Sequence, residues 1–465
     1  MNMINVRRLA AMTFLGAGML SDISAQDFSL QADTLNEARL PAQWDLQSCI
    51  DYALEQNITI RKNRVTAEST QIDVKTAKAA LFPSLSFSTS QQVVNRPYQE
   101  TSSRVSGSEI ISSNSKTSYN GNYGLNASWT IYNGSKRLKT LKQERLNNQV
   151  AELDVATSEN TIKESIAQIY IQILYAAESV RVNENTLQVS IAQRDRGQEL
   201  LNAGSIAKSD FAQLEAQVST DRYQLVTAQA TLQDYKLQLK QLLELDGENE
   251  MNVYLPKLSD ENVLAPLPAK KDVYVSALAI RPEIEASKLN VEASELGIDI
   301  AKSSYFPTIS LSAGIGTNHT SGSDFTFGEQ VKNGWNNSIG LSVSVPIFNN
   351  RQTKSAVQKA KLQRETNMLS LLDEQKALYK TIESLWLDAN SAQQRYAAAN
   401  EKLRSTQISY DLISEQFNLG MKNTVELLTE KNNLLQAQQE QLQAKYMAIL
   451  NTQLLKFYQG DKLTL

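Results

Sequence analysis

Apolar side chains recur at helical spacing through two long stretches of the chain, residues 135–196 and 351–419. In the first stretch, Ile162, Ile166 and Ile169 follow the three- and four-residue steps that define one face of a helix. Neither stretch contains glycine or proline. Each therefore predicts a very long helix, which would extend about 90 to 100 Å if continuous.

A seven-residue repeat follows each of two glycines, Gly204 and Gly420. Its positions are Phe211, Val218, Leu225, Leu232 and Leu239 in the first copy, and Leu428, Leu435, Leu442 and Ile449 in the second. Heptads of this kind form coiled coils. Each long helix is therefore predicted to fold back at a glycine-containing turn into a helical hairpin, in an elongated protein.

Four shorter segments alternate apolar residues with small polar ones. Their apolar positions are Leu85, Phe87 and Val93; Tyr123, Leu125, Ala127, Trp129 and Ile131; Ile309, Leu311, Ala313 and Ile315; and Ile339, Leu341, Val343 and Val345. Aromatic residues lie near the segment ends, at Phe82, Tyr132, Trp335 and Phe348. This pattern is typical of transmembrane β-barrel strands, with lipid outside and water inside. A half-exposed soluble sheet shares the alternation, but the nearly uncharged polar positions favour the membrane.

Four strands cannot close into a barrel by themselves. An open sheet edge in hydrocarbon leaves backbone N–H and C=O groups unpaired, at several kcal/mol each. The strands are therefore expected to be completed by other subunits, giving eight strands in a dimer or twelve in a trimer. The larger barrel would leave a usable lumen.

The chain also resembles itself. Phe82-Pro83 before the first strand matches Phe306-Pro307 before the third, and Gly204 after the first long helix matches Gly420 after the second. This similarity predicts an internal tandem duplication, in which the first copy has eight extra residues between its strands. The prolines between the copies mark a linker, because closely spaced prolines stop helices. We expect a first repeat at 26–245, a linker or equatorial segment at 246–272, and a second repeat with a C-terminal equatorial segment at 273–465.

The N-terminus has the pattern of a secretory signal peptide, predicted over residues 1–25. Arg7 and Arg8 precede an apolar stretch at 9–20, and Ala25 offers a small residue for cleavage. A buried N-terminal helix is the alternative. The apolar stretch is too short to span a membrane as a helix, and no run of about 18 apolar residues follows it.

Composition excludes several classes of chemistry. The chain has 46 Lys and Arg against 50 Asp and Glu and no basic block, so no nucleic-acid partner is expected. One histidine, His319, and one cysteine, Cys49, cannot form a multi-Cys/His zinc site or a disulfide framework. An exported hydrolase would need a nucleophile with a base, and His319 lies in a Gly/Ser/Thr/Asn-rich stretch predicted to be a loop. We therefore expect no enzyme activity, cofactor or metal.

The motifs together resemble the TolC family of outer-membrane channels. They are WDLQSCIDYALEQN, FPSLS and FPTIS, IYNGSKR and IFNNRQT, and FNLGMKNTVELL. The resemblance implies a mixed α+β membrane protein. It would be a homotrimer with a shared twelve-stranded transmembrane β-barrel, continued by a long α-helical coiled-coil barrel in the periplasm. It also implies the role of exit duct in a tripartite efflux pump or type I secretion system. The partners would be outer-membrane lipid, a periplasmic adaptor protein and an inner-membrane pump of the RND or ABC type.

The resemblance also implies a gate at the hairpin turns. Counted from the turn glycines, Ser209, Asp210 and Lys422 occupy gate positions, and Glu426 occupies the first acidic ring. Phe417 replaces a gate tyrosine, so a tyrosine-to-aspartate bond cannot form there. Thr429 replaces a second ring acid, which Glu430 either does or does not substitute. Ordinary solvated turn residues are the alternative interpretation.

The long hairpins alone would also suit a periplasmic coiled-coil adaptor or scaffold protein without a barrel. The four alternating strands distinguish the two hypotheses, because an adaptor has no use for apolar strand faces of this length. In exit ducts the inner-membrane pump holds the specificity, so the sequence assigns no cargo.

Overall fold

A computed structural model describes residues 41–98, 102–106, 109–113, 116–245, 251–256, 263–321, 323 and 325–464. The predicted signal peptide lies outside the described residues. The chain divides into two compact units, and the described part of the smaller one is formed around Trp44 and Asn252–Tyr254. There the Trp44 amide donates to the Asn252 carbonyl at 2.8 Å, and the Tyr254 amide donates to the Trp44 carbonyl at 2.8 Å.

The larger unit contains the helices and the sheets. The helices are α1 (Leu46–Gln56), α2 (Ile58–Ala79), α3 (Lys136–Asn202), α4 (Lys208–Leu242), α5 (Lys270–Ile280), α6 (Pro282–Ser303), α7 (Phe327–Asn333), α8 (Gln352–Asn418) and α9 (Thr424–Gln459). The strands are β1 (Ser84–Asn95), β2 (Ser102–Ser106), β3 (Glu109–Ser113), β4 (Thr117–Asn133), β5 (Thr308–Thr320) and β6 (Asn336–Ser344). None of the helices in the described part has a stretch long and apolar enough to span a membrane.

The two long helices, α3 and α8, are continuous and contain 67 residues each. The helix α3 continues through Gly197, whereas the stretch without glycine that predicted this helix ends at residue 196. A Cβ atom added at Gly197 would collide with Leu214 Cδ1 of α4. Glycine is therefore tolerated inside this helix because it allows the returning helix to pack closely.

Two helices precede the sheet in each half of the chain. The break in the first half is Asn57, whose side-chain oxygen accepts from the Thr59 amide at 2.9 Å and so caps α2. The break in the second half is Arg281, followed by Pro282 at the first position of α6. Both breaks are local cap signals that helical periodicity does not reveal.

The predicted strands form one antiparallel sheet in the order β1-β4-β5-β6. Its register places the apolar residues of neighbouring strands in common rows. One such row is Leu85, Ala127, Ala313 and Ile339, and a neighbouring row of small polar residues is Ser84, Ser128, Ser312 and Gly340. The predicted alternation is therefore present, up to a register shift between Thr130 and Tyr132. Beyond it, Tyr132 rather than Ile131 lies opposite Ile309.

Three short elements and the strand position of His319 differ from the sequence-based prediction. The elements are the β2–β3 ribbon and α7. His319 lies in β5 and not in a loop, because its ring packs against Tyr119 at 5.3 Å and Phe327 of α7 at 5.1 Å between centroids. These aromatic contacts extend the strand through a stretch whose polar composition suggested a loop.

An apolar core forms where α5, α6, α8 and α9 meet. Its buried residues are Val273, Ala277, Ile284, Leu378, Ile382, Ala389, Leu455 and Tyr458. Beside it lies Arg281, whose side chain is 5% exposed. The guanidinium donates to Glu164 of α3 at 2.8 Å and lies 3.6 Å from the ring centroid of Tyr458. This one cation therefore joins the start of α6 to α3 and α9.

Arg281→Met should lower the free energy of unfolding by about 1.5 to 3 kcal/mol near neutral pH, because it leaves a partly buried carboxylate without its cation. Burial raises the pKa of Glu164, and Arg281 opposes that rise. A carboxyl whose pKa is raised by folding stabilises the fold below its unfolded-state pKa and loses that contribution as pH rises through the folded value. The deficit of the variant should therefore shrink at mildly acid pH in chemical unfolding experiments.

The matched variant Arg281→Met with Glu164→Gln should recover most of the lost stability at neutral pH. An equal deficit at both pH values, with no recovery by Glu164→Gln, would contradict this account of the Arg281 site.

Candidate functional site

The predicted site residues lie at the two hairpin turns. The α3–α4 turn contains Gly204 at φ +72°, and the α8–α9 turn contains Gly420 at φ +73°. A Cβ atom at either position would meet nothing within 4 Å. The positive φ angle, and not crowding, is therefore the reason for glycine at these turns.

At the second turn, Lys422 lies two residues before α9 and forms an ion pair with Glu426 in the first turn of that helix. The Lys422 ammonium donates to Glu426 Oε1 at 2.6 Å. Asn423 completes a capping box, since its side chain accepts from the Glu426 amide at 2.9 Å and its own amide donates to Glu426 Oε2 at 3.3 Å. The bond from Lys422 and the amide of Asn423 hold the pKa of Glu426 below its usual range.

At the first turn, Ser209 is exposed and Asp210 is half-buried. The Ala207 amide donates to Asp210 Oδ2 at 3.3 Å, so this carboxylate satisfies a free donor at the start of α4. The described bonds of Asp210 and Lys422 thus lie within their own hairpins. Pairing of Lys422 with Asp210 or Ser209 on another hairpin stays a prediction.

Phe417 is 2% exposed and forms the centre of an apolar cluster with Leu214 and Leu427. The partly buried residues packed against it are Leu200, Tyr410, Ile413 and Leu428. The cluster therefore draws side chains from all four helices of the two hairpins. At the predicted gate-tyrosine position, phenylalanine holds the two hairpins together by apolar packing and has no hydroxyl to donate.

A tyrosine hydroxyl does link the hairpins, at a position that the sequence analysis did not select. Tyr410 lies seven residues before Phe417 on α8, and its hydroxyl accepts from Gln193 Nε2 of α3 at 2.8 Å. Burial raises the pKa of this phenol. The seven-residue spacing from Phe417 was the available signal, because it places both rings on the same face of the helix.

A second missed contact is a buried polar cluster that joins α3, α4 and α9. Its residues are Ser190, Asp221 and Lys431, which are 2%, 1% and 3% exposed. The Lys431 ammonium donates to Asp221 and to Ser190, and the Ser190 hydroxyl donates to Asp221 at 2.5 Å. The signal for it was a charged residue at a core position of each coiled-coil helix. Asp221 and Lys431 each lie three residues after a heptad position, Val218 and Leu428.

Glu430, the possible substitute for a second ring acid, is bonded within its own hairpin. Its Oε2 atom accepts from the Ser409 hydroxyl at 3.0 Å. The turns therefore offer hydrogen bonds, charges and apolar contacts.

In the part of the chain that the structure describes, no group of three or more His, Cys, Asp or Glu residues could hold a metal ion. Cys49 is buried, and this burial raises the pKa of its thiol to about 12.

Comparison with known families accounts for the repeated architecture. The sequence model of the outer membrane efflux protein family matches residues 49–244 and again residues 273–460. The chain belongs to the outer membrane efflux protein family. The two matches fall in the two halves of the chain, each ending with the helix that returns from a turn.

Two curated members of this efflux family show the extent of the similarity. The outer membrane efflux protein BepC of Brucella suis is 26% identical over 294 residues, which are 63% of this chain and 61% of BepC. The outer membrane protein TolC of Escherichia coli is 24% identical over 341 residues, which are 70% of this chain and 66% of TolC. The chain thus spans slightly less than two thirds of the length of these two relatives.

The fold of this family member matches that of a solved structure, CusC. The crystal structure of CusC, described as revealing conformational changes that accompany folding and transmembrane channel formation, superposes with a TM-score of 0.76 at 19% identity. The superposition covers 90% of this chain and 92% of CusC. At this identity the likeness establishes the fold.

Proposed function

We propose that this efflux protein is one subunit of a trimeric duct that crosses the outer membrane and continues into the periplasm. One observation carries the proposal: along the chain, each strand of the four-stranded sheet is next to a helix, with no other helix or strand between them. The connections are α2 to β1, β4 to α3, α6 to β5 and β6 to α8. A trimer would therefore contribute twelve strands to a barrel and twelve helix ends to a tunnel of matching order.

The edges of the sheet support completion by other copies. Within the described residues, β1 and β6 are the outer strands, and each has a side with no strand paired to it. Exposed backbone groups on those sides would be costly in hydrocarbon. Pairing β1 of one subunit with β6 of the next satisfies them, and twelve strands give a lumen wide enough for cargo.

The matching bounds of the two halves support a tandem duplication. The starts of α1 and α2 are separated from those of α5 and α6 by the same distance along the chain that separates Phe82 from Phe306. The starts of α3 and α4 are likewise separated from those of α8 and α9 by the distance between Gly204 and Gly420. The division into repeats at 26–245 and 273–465, with a linker or equatorial segment at 246–272, remains part of the proposal. The helix α5 begins at Lys270, three residues before the proposed start of the second repeat.

The proposed activity is passive conduction. The duct serves as the exit of a tripartite efflux pump or type I secretion system, and no step requires a catalytic residue or a cofactor. A periplasmic adaptor opens the hairpin turns, and an inner-membrane pump of the RND or ABC type supplies the energy. The competing function, a periplasmic scaffold without a barrel, is disfavoured by the apolar row of exposed side chains along the sheet, such as Leu85 and Ile339.

Fractionation of cells followed by single-channel recording tests this function. The protein should be recovered in the outer membrane as a trimer, and the purified trimer should form ion-conducting channels in planar lipid bilayers. Recovery of a folded, water-soluble monomer from the periplasm without detergent would overturn the proposal.

The register of the sheet predicts opposite effects for two adjacent residues of β6. Leu341 pairs with Leu311 in an apolar row, and Ser342 pairs with Ser310 in the polar row. Leu341→Arg should cost about 2 to 4 kcal/mol in reversible unfolding from lipid vesicles, because it places a charge in lipid at the membrane midplane. Ser342→Arg, facing the lumen, should cost much less.

The same faces should differ in access to water. Cysteines at Leu125, Trp129, Leu341 and Val343 should resist labelling from the lumen, whereas cysteines at Asn126, Ser128, Ser342 and Ser344 should react. The reverse labelling pattern would show that the apolar face of the sheet lines the lumen. An equal cost of Leu341→Arg and Ser342→Arg would contradict the assignment of one face to lipid and the other to water.

The hairpin turns are the proposed gate of the duct. In the assembled trimer, Lys422 on one hairpin contributes to closure by pairing with Asp210 and Ser209 on another, and Glu426 forms a ring of three carboxylates. Three like charges in a narrow constriction attract cations. Because Lys422 also bonds Glu426 within its own chain, it partly neutralises this ring.

Glu426→Gln should therefore reduce the cation preference of the channel in planar-bilayer recordings. Lys422→Ala should raise both basal conductance and cation preference, since it loosens the closed state and exposes the ring. An exposed ion pair contributes only about 0 to 1 kcal/mol, so opening should be partial. Adding Asp210→Ala to Lys422→Ala should add less than the sum of the two effects if they share one link. Unchanged conductance and selectivity in all of these variants would assign the residues to ordinary solvated turns.

A further inference from the structure

The buried cluster of Ser190, Asp221 and Lys431 satisfies its own hydrogen-bonding groups almost completely. Asp221 Oδ2 accepts from Lys431 and Ser190, and Oδ1 accepts from Gln217 Nε2 at 2.9 Å. The Ser190 hydroxyl accepts from Lys431 while it donates to Asp221. Hydrogen bonds depend on direction and length, so the network constrains the relative position of α3, α4 and α9.

Charge inside a coiled-coil core is costly, and its best-attested use is to fix the register of the helices. Burial lowers the pKa of Lys431, and the bond and charge of Asp221 oppose that shift. Apolar residues of similar volume would often pack as stably as a buried ion pair. A charged or polar residue at a core position is best known for fixing the register of helices. We therefore expect the cluster to fix the relative position of the helices more than to raise the free energy of unfolding.

The polar cluster lies beside the apolar cluster that packs the two hairpins together near their turns. Leu427 lies one helical turn before Lys431 on α9, and Leu214 lies two turns before Asp221 on α4. Both leucines belong to the apolar cluster around Phe417. Apolar packing is non-directional and tolerates rearrangement. Directed bonds beside it select one arrangement of the two hairpins.

We propose that Ser190, Asp221 and Lys431 form a hairpin clamp, which holds α9 against the first hairpin within each subunit and so keeps the turns in the closed position. This inference rests on the proposed function as a gated duct. Opening requires the second hairpin to move relative to the first, and that movement must break the bonds of Lys431. The clamp adds a buried polar link between the hairpins to the one that Gln193 and Tyr410 form.

A matched ion pair provides the control. Lys402 donates to Glu440 at 2.7 Å, joins α8 to α9 within the second hairpin, and is about two-fifths exposed. The change Lys→Met removes the same charge at either position. Only Lys431→Met removes a link between the hairpins.

The experiment compares purified trimers of the wild type, Lys431→Met and Lys402→Met in planar bilayers. Lys431→Met should raise the open probability about tenfold, the effect of losing roughly one net hydrogen bond between the hairpins. Lys402→Met should leave it unchanged. Amide hydrogen exchange on the same trimers should show faster exchange at 424–435 in Lys431→Met while exchange in the core around Arg281 is unaltered.

Two further variants separate positioning from simple stability. The double variant Lys431→Asp with Asp221→Lys exchanges the two charges of the ion pair, and its open probability should return towards the wild-type value. The single variants Lys431→Asp and Asp221→Lys should both keep a raised open probability. If Lys431→Met fails to assemble, Ser190→Ala removes bonds without leaving a buried charge alone and should give a smaller rise.

The outcomes distinguish the clamp from the channel itself. A wild-type trimer that forms no channel overturns the proposed function. A wild-type trimer that conducts, with open probability and 424–435 exchange unchanged in both Lys431→Met and Ser190→Ala, overturns the clamp and leaves the function standing. Faster exchange throughout the chain would also overturn it, because the cluster would then be a general part of the fold.

Discussion

A helix of 67 residues depends on partners along its whole length, because isolated helices are marginal in water and most helical stability comes from packing. For α3 and α8 the partners change along the way. Near the strands they pack against α2 and α6, and near the turns they pack against α4 and α9. No single partner is long enough, so the architecture needs a junction at which one set of partners ends and the next begins.

Arg281 lies at that junction. It terminates α5, precedes the proline that begins α6, and contacts Glu164 of α3 and Tyr458 near the end of α9. A guanidinium suits this position because it can donate to a carboxylate and stack on an aromatic ring at once. The neighbouring apolar core contributes most of the burial, and the cation fixes how the four helices meet.

The sequence predicted the elements whose signals are long or repeated. The Gly- and Pro-free stretches gave α3 and α8, the turn glycines gave the hairpins, and alternation gave the faces of β4 and β5. Short signals failed: the Asn57 cap divides a helix within one residue, and the polar stretch around His319 is a strand that pairs with β4 while Tyr119 and Phe327 pack against the ring. Both the pairing and the ring contacts are tertiary and have no local pattern.

Part of the candidate site was likewise predictable from the sequence and part was not. The number of residues from Gly204 and Gly420 located Asp210, Lys422 and Glu426 at the turns, since a sequence separation does not depend on how the helices pack. The Tyr410–Gln193 bond and the bond between Lys431 and Asp221 join residues more than 200 positions apart. A charge at a heptad core position is visible in the sequence, but its partner becomes visible only when two hairpins are packed together.

In the proposed gate, the charges at the turns would couple closure to ion preference through one ammonium group, that of Lys422. Within a chain, Lys422 and the amide of Asn423 both donate to Glu426, so its negative charge is compensated where it arises. If Lys422 turns to Asp210 of another hairpin, the tip gains a link between hairpins and Glu426 loses its cation. In the proposed gate, that bond would leave the acidic ring without its cation. A cation that binds Glu426 there would compete with Lys422 and so favour the Lys422–Asp210 link, which would act against passage of that cation.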